Sequence, residues 1–395
     1  RDRRVPLRRQ RQRVIRDSLQ GPHYVHNALA MALAIDSKHI KVRQTTTGGA
    51  FGGKEDYPSA MAVWTGLLAK LCGHPVKLLY DRGEDMLVTP KHHPSKIIHK
   101  MGFKKDGTIT AAEVDLYTDG GACTSMSKVV LARAVLHSTG VYKIPNAKIR
   151  GRAMATNTPP NGAFRGFGAP QAIYAIERQM DFAAVALNLA PYTVRIKNVL
   201  LKGDAFPFGQ VLEDGASAGL ILEDVVKRSN CVKKWKECMS QPKTRIRKCI
   251  GLSICMHGGG FTGAGEDNMG TTVEVEYLPN DRVEVLSGST EMGQGTDTML
   301  PMYVAEVLQL PLERVSHPLP DTSKAPNSGP TAASRTAMFV GRACVAAGQN
   351  FIKMVSDFLG EKKGAPPDRS RDGVFSKRAD KIATTEEAAN PWFAH

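Results

Sequence analysis

Apolar positions recur along this chain in two rhythms. Over 171–187 the residues Ile173, Ile176, Met180, Ala183 and Leu187 fall on one stripe, the three-and-four spacing that predicts a helix; Pro191 should close it. A second helix is predicted over 59–71, stopped by Gly73 and Pro75. A short amphipathic one is predicted at 28–35, and another over 296–309 after a Gly-rich turn. Elsewhere the rhythm is strict alternation. Val114 and Leu116, with Asp106-Gly107 as a turn, predict a hairpin over 96–119. Val273, Val275 and Tyr277, then Pro279-Asn280-Asp281, then Val283 and Val285 predict another. Residues 75–81 are expected as a short strand. Hairpins, Gly-rich loops and helices occur in both halves, so the fold class expected is α+β, with two α/β-mixed subdomains around a cleft, not a regular parallel βαβ repeat.

Subdomain limits follow from where the periodicity fades. A Lys-rich polar stretch at 227–248 reads as a connecting segment, which places a first subdomain at 21–230 and a second at 231–360. From 361 to 395 polar residues dominate, and a frayed tail is expected. Residues 1–17 hold eight Arg against two Asp, so 1–20 is expected to be a basic, disordered arm that carries +6 of the net +15. Basic arms bind nucleic acid or anionic membranes. This one has no aromatic residue and no apolar stripe, which argues against a nucleic-acid module.

Composition narrows the class further. In 395 residues, 42% hydrophobic and 23% charged excludes general disorder. The longest apolar run, 28–35, is far short of the roughly 20 residues that span a membrane. Seven cysteines without a C-x-x-C pair match no zinc pattern or disulfide framework and point to a reducing, cytoplasmic setting.

The glycine excess lies in a few loops, where chemistry is expected. Gly48 to Glu55 has phosphate-loop spacing, but Glu55 stands where a Ser or Thr would ligate magnesium, and its carboxylate would repel phosphate. A loop whose backbone approaches some other ligand closely fits better than a nucleotide site or a plain turn. Gly258-Gly259-Gly260-Phe261-Thr262-Gly263 satisfies G-x-G-x-x-G, but no amphipathic helix follows it, so the dinucleotide context is absent. Residues 161–171 place Arg165 and two Phe among glycines just before the strongest helix. A helix start offers free N–H groups, so this is a candidate anion site. Residues 291–298 repeat that logic, with Asp or Thr as cap and Gln294 with the glycine backbone facing a ligand. Residues 330–335 present small and hydroxyl side chains suited to oxyanion contact. His92 and His93 are adjacent, face opposite sides of an extended segment and are expected at the surface.

Taken in order, TTTGGAFGGKEDYPS (45–59), GAFRGFGAPQ (162–171), EMGQGTDT (291–298) and PNSGPTAASRT (326–336) resemble the molybdenum-cofactor-binding region of the xanthine dehydrogenase and aldehyde oxidase family, over about 24–350. The resemblance implies a molybdenum–pterin cofactor, as molybdopterin or its cytosine dinucleotide form, with iron–sulfur clusters and FAD on partner chains. It implies that Phe51 and Gly52 flank the metal, that Arg165 contacts its oxo side and that Ala333 approaches it through backbone. Gln294, Gly295, Thr331, Ala332 and Ser334 would bind the pterin and its phosphate tail. Glu55 and Arg133 would hydrogen-bond a purine, and Phe167 would stack on it, while the region of the opposite wall has Ile254 and Cys255. The family's catalytic base, a glutamate in a G-x-G-E-like turn, has no counterpart here. Gly265-Glu266 and Gly360-Glu361 lie in other surroundings. The resemblance therefore implies a fragment of a purine or N-heterocycle hydroxylase that is inactive by itself. Alternatives are an aldehyde or aromatic-heterocycle oxidoreductase of the same family and, from a different class, a basic nucleic-acid-binding protein.

Overall fold

Leu19 is completely buried, and the chain on both sides of it is ordered around that fact. Strand β1 (Arg13–Asp17) pairs in parallel with β2 (Ile40–Gln44), Ile15 opposite Val42, and helix α1 (Pro22–Leu33) makes the crossover. The basic arm expected over 1–20 thus ends in a strand. Arg13 and Arg16 stay outside while the strand's backbone pairs, and Leu19 joins Val25, Leu29, Ile40, Val42 and Ala62 in a core cluster. The computed structural model describes residues 13–359 apart from 243, 263, 264, 268 and 280; the rest of the arm and the tail expected at 361–395 lie outside the described residues.

Helix α2 (Tyr57–Cys72) starts with Pro58 in its first turn and stops at Gly73, whose φ of 74° is the left-handed cap a side chain disfavours. Residues 75–81, expected as a strand, form none. A strand needs a ladder partner, and none lies beside this stretch among the described residues. Helix α3 (Arg82–Val88) follows, opened by an Asp81–Glu84 capping box.

Residues 91–258 form a compact unit of their own, and the described parts of 1–90 and 259–395 form the other. In the 91–258 unit the expected hairpin appears as β3 (Ser95–Phe103) and β4 (Ile109–Gly121). Helix α4 (Ser127–His137) leads to β5 (Ala147–Ala155), which pairs in parallel with β4. Helix α5 (Ala169–Ala186) buries Ala172, Ile176, Met180 and Ala183 against this sheet and against Tyr142 and Val194. Pro191 does not close that helix but opens the next, α6 (Pro191–Asn198), where a missing N–H costs nothing.

The Lys-rich stretch read as a connector instead contains α8 (Cys231–Met239), preceded by α7 (Ala218–Arg228). Each buries a single residue, Leu222 and Cys231, so their apolar stripes are too narrow to show above the charge. Residues up to 258 pack with this unit: Ile254 lies in its core, and its N–H donates to Glu177 Oε2 at 3.2 Å. The contact division therefore falls at 90/91 and 258/259, whereas the drop in periodicity fell at 230/231.

The chain then completes the other unit. Strands β6 (Glu274–Leu278) and β7 (Arg282–Leu286) form the second hairpin, and β7 pairs in parallel with β8 (Val315–Ser316). Helices α9 (Thr296–Leu308) and α10 (Gly341–Leu359) cover it through Leu300, Val304 and Ala343, joined by Val340 from the turn just before α10. The small mixed sheets and helices make an α+β fold. No helix among the described residues is long and apolar enough to cross a membrane.

Candidate cofactor site

A residue that no motif singles out organises the first unit's loops. Gln20 is buried, and its carboxamide Oε1 accepts from Gly52 N at 2.9 Å and Lys54 N at 3.2 Å, while Nε2 donates to Thr331 O at 2.8 Å. Its backbone adds two bonds, N–H to Lys54 O and C=O from Thr331 N. The Gly48–Glu55 loop and the 330–335 loop are thereby tied together. Thr331 continues the chain of bonds, since its hydroxyl accepts from Thr290 N at 2.7 Å. The 291–298 loop begins at that point. Three segments far apart in sequence are joined by one amide and one hydroxyl. The only visible signal was that Gln20 sits among residues that interrupt an otherwise basic arm.

The backbone of these loops is held in unusual conformations. Phe51, Ala333 and Ser334 have φ of 55°, 52° and 55°, a region that non-glycine residues enter only under constraint. The Phe51 ring is 60% exposed, and Ser334 is exposed too. The N–H groups of Ala333 and Ser334 donate to no acceptor among the described residues. Successive N–H groups in a turn form an anion-binding concavity.

Glu55 lies at the inner end of the first loop, 2% exposed, with its Oε1 lacking any hydrogen-bond partner. Burial, assisted by the negative charge of Asp56, pushes its carboxyl up from 4.5 to about 8. It is consequently a neutral acid at pH 7, able to donate as well as accept.

The 291–298 loop is arranged differently from the expectation of an Asp or Thr cap. Glu291 is the cap: Oε1 accepts from Gly293 N and from Gly295 N at 3.2 Å, and Oε2 from Asp297 N at 3.0 Å. Although partial burial works against the charge, these backbone donors keep the carboxyl below its usual range. Gln294 is turned into its own loop, with Nε2 on Thr290 O and Thr296 Oγ1 and Oε1 on Met292 N. Around the Cα atoms of Gly293 and Gly295, where a side chain would project, there is open space.

In the 91–258 unit, the 161–171 turn is fixed by sterics. A Cβ on Gly168 would lie 2.3 Å from the Val130 carbonyl oxygen, and one on Gly166 2.4 Å from the Pro170 ring. Phe167, between them, has φ of 51°. Arg165 is exposed and its carbonyl is bonded to His92 Nε2 at 2.8 Å, with His92 edge-on to Phe164. Of the two histidines expected at the surface, His92 is there but His93 is buried, its Nε2 2.9 Å from Ser127 Oγ. The Ser127 hydroxyl gives the buried ring a polar partner. Arg133 is buried, and Nη1 donates to Gly258 O at 2.6 Å. Ile254 is buried and Cys255 exposed.

Glu266, of the Gly265-Glu266 pair, is structural. It forms an ion pair with fully buried Arg335, Nε to Oε2 3.0 Å, and accepts from Phe261 N. Arg335 spends its other donors on Ser328 O and Thr271 Oγ1. Gly360 and Glu361 lie outside the described residues.

Family models for molybdopterin cofactor-binding domains match residues 5–199 and 225–394. The chain belongs to the molybdenum-cofactor-binding region of the xanthine dehydrogenase and aldehyde oxidase family. Among its relatives, the xanthine dehydrogenase/oxidase of Rattus norvegicus is 33% identical over 351 residues, 88% of this chain and 26% of that protein. The nicotinate hydroxylase of Emericella nidulans is 32% identical over 320 residues, 80% of this chain and 24% of that protein. In structure the chain is similar to the aldehyde oxidoreductase of Desulfovibrio gigas, with a TM-score of 0.78 at 28% identity over 87% of this chain and 37% of the other. It spans about a quarter of the length of those curated relatives. The unengaged N–H groups of Ala333 and Ser334, the open space at Gly293 and Gly295 and the orphaned Glu55 oxygen fit an oxygen-rich, anionic cofactor with a polar ligand beside it. Glu291 already takes the backbone donors at the start of α9, so the fit there rests on the space and not on those amides.

Proposed function

We propose that this chain is the cofactor-holding part of a molybdenum hydroxylase that oxidises a ring carbon of a purine or related N-heterocycle, with water as the oxygen source. The observation that carries the reading is Glu55: a buried, unpaired and neutral carboxyl is a donor–acceptor suited to a heterocycle's N–H and ring nitrogen, and it would be wasted on an aldehyde. Arg133 supplies a cation for a carbonyl oxygen on the ring, and Phe167 a face for stacking. Phe51, Gly52, Arg165 and Ala333 are assigned to the metal, mainly through backbone. Gln294, Gly295, Thr331, Ala332 and Ser334 are assigned to the pterin and its tail, with Gln20 and the Thr331 hydroxyl holding their loops in register. When bound, the cofactor supplies the two-electron oxidation; the chain's own part is to bind, orient and protonate. Partner chains with iron–sulfur clusters and FAD, in the cytoplasm, belong to the same reading.

The test uses the enzyme purified with its partners. Molybdenum content and pterin fluorescence after denaturation are expected to be positive; absence of both refutes it. Glu55→Ala and Arg133→Met are expected to lower kcat/KM for xanthine by one to two decades, the loss of a charge-assisted or buried hydrogen bond of about 1.5–3 kcal/mol. A second reading, an aldehyde or aromatic-heterocycle oxidoreductase, draws support from the Arg133 guanidinium being already bonded to Gly258 O. Purine turnover unchanged in both variants would select it.

A further inference from the structure

Arg133 does not stand alone in its helix. One turn on, His137 is 4% exposed, and both of its ring nitrogens are engaged. Nδ1 lies 2.8 Å from the Arg133 carbonyl oxygen, and Nε2 accepts the Gly258 N–H at 3.3 Å. Because a peptide N–H can only donate, Nε2 must be unprotonated, so the ring is neutral and its proton sits on Nδ1. The Gly258 carbonyl in turn accepts from Arg133 Nη1 at 2.6 Å. The three residues close a circuit: the imidazole grips the Gly258 N–H, the peptide presents its C=O, and that oxygen fixes one end of the guanidinium. An arginine side chain has much rotamer freedom to lose; here part of it is removed before any substrate arrives.

We propose that His137 is a positioning residue that sets the direction of the Arg133 guanidinium through the Gly258 peptide, and so selects heterocycles that carry a carbonyl oxygen on the ring over substrates without one. This rests on the reading of Arg133 as a substrate contact. It adds that the contact's precision comes from a residue that touches no substrate. Imidazole suits the task because one planar ring donates on one side and accepts on the other, at a spacing that spans helix carbonyl and neighbouring peptide.

Amide substitutions separate the two halves of the ring's work. In His137→Gln the longer side chain places Oε1 near the former Nε2, so the Gly258 N–H keeps an acceptor. In His137→Asn the shorter amide reaches only the helix carbonyl, and Gly258 is released. With the complete enzyme, KM for xanthine is expected to rise about tenfold in His137→Asn with kcat little changed, the mark of lost binding common to ground and transition states. His137→Gln should restore most of it. KM for benzaldehyde should be the same in all three. Molybdenum content and thermal unfolding identify any variant that has not folded, and His137→Gln then carries the comparison with wild type against Arg133→Met. An equal rise for both substrates, or no rise in His137→Asn, overturns the proposal. If wild type oxidises neither substrate, the functional reading fails instead. Hydrogen exchange at Gly258, faster in His137→Asn and not in His137→Gln, still decides whether the circuit exists; unchanged exchange refutes it.

Discussion

Replacing Glu55 by Gln keeps shape and removes titration, so the difference between the two proteins isolates one carboxyl. In the folded chain that carboxyl is raised from 4.5 to about 8 because it is buried without a partner. Between those values the folded state holds a proton that the unfolded state has released, so stability contributed by this group is complete below pH 4.5 and is lost as pH rises through 8. Each pKa unit is worth 1.36 kcal/mol. The full loss is about 5 kcal/mol, and about 3 kcal/mol of it has accrued by pH 7. For a unit of 150–250 residues, 3 kcal/mol corresponds to roughly 6–12 °C in Tm. Thermal unfolding of wild type and Glu55→Gln, followed by circular dichroism at pH 5, 6, 7 and 8, should therefore show curves whose separation widens by about 2.5 kcal/mol, or roughly 5–10 °C, between pH 5 and pH 7, with Gln gaining. Parallel curves would mean that Glu55 ionises normally. That result would remove the neutral donor on which the purine reading leans.

Gln20→Ala strips two backbone N–H groups and one C=O of their partner in a buried setting and should cost about 2–4 kcal/mol in urea denaturation, with loosened loops at 48–55 and 330–335. Gly168→Ala forces a Cβ to 2.3 Å from a carbonyl oxygen, whereas Gly293→Ala meets open space at a similar φ; the first should fail to give soluble protein, and the second should cost only about 1–2 kcal/mol. Arg335→Met leaves Glu266 charged and buried and should lose about 3–5 kcal/mol, of which the double variant with Glu266→Gln recovers a large share, measured by a double-mutant cycle.

Wherever a single element makes its own case, the pattern of residues was legible. The stripe of α5, the Asp106-Gly107 hairpin and the alternation of β6 and β7 depend on local period and turn chemistry alone. The Gly-rich loops were visible for the same reason, since glycine at positive φ marks a backbone constraint wherever it occurs. What stayed hidden depends on distant partners. Residues 75–81 have no neighbour to ladder with among the described residues, while Arg13–Asp17 has charged side chains yet pairs because β2 is beside it. Helices α7 and α8 each bury one residue, and a stripe that narrow is lost among lysines. Gln20, His137 and Glu291 act through bonds to backbone groups, and a backbone group carries no letter in a sequence.

The bond from Gln20 to Thr331 spans 311 positions of chain. A ribosome working at about 5–20 residues per second needs roughly 15–60 s to travel that far, so Gln20 is born long before its partner. During that interval the 91–258 unit has all of its own contacts and can fold, and the Leu19 cluster, drawn from residues 19–62, can close as well, but the Gly48–Glu55 loop must wait for Thr331. Under the proposed assignment, the loops that would receive the cofactor do not share this clamp until Thr331 has been made, which makes insertion a late event in the molecule's history.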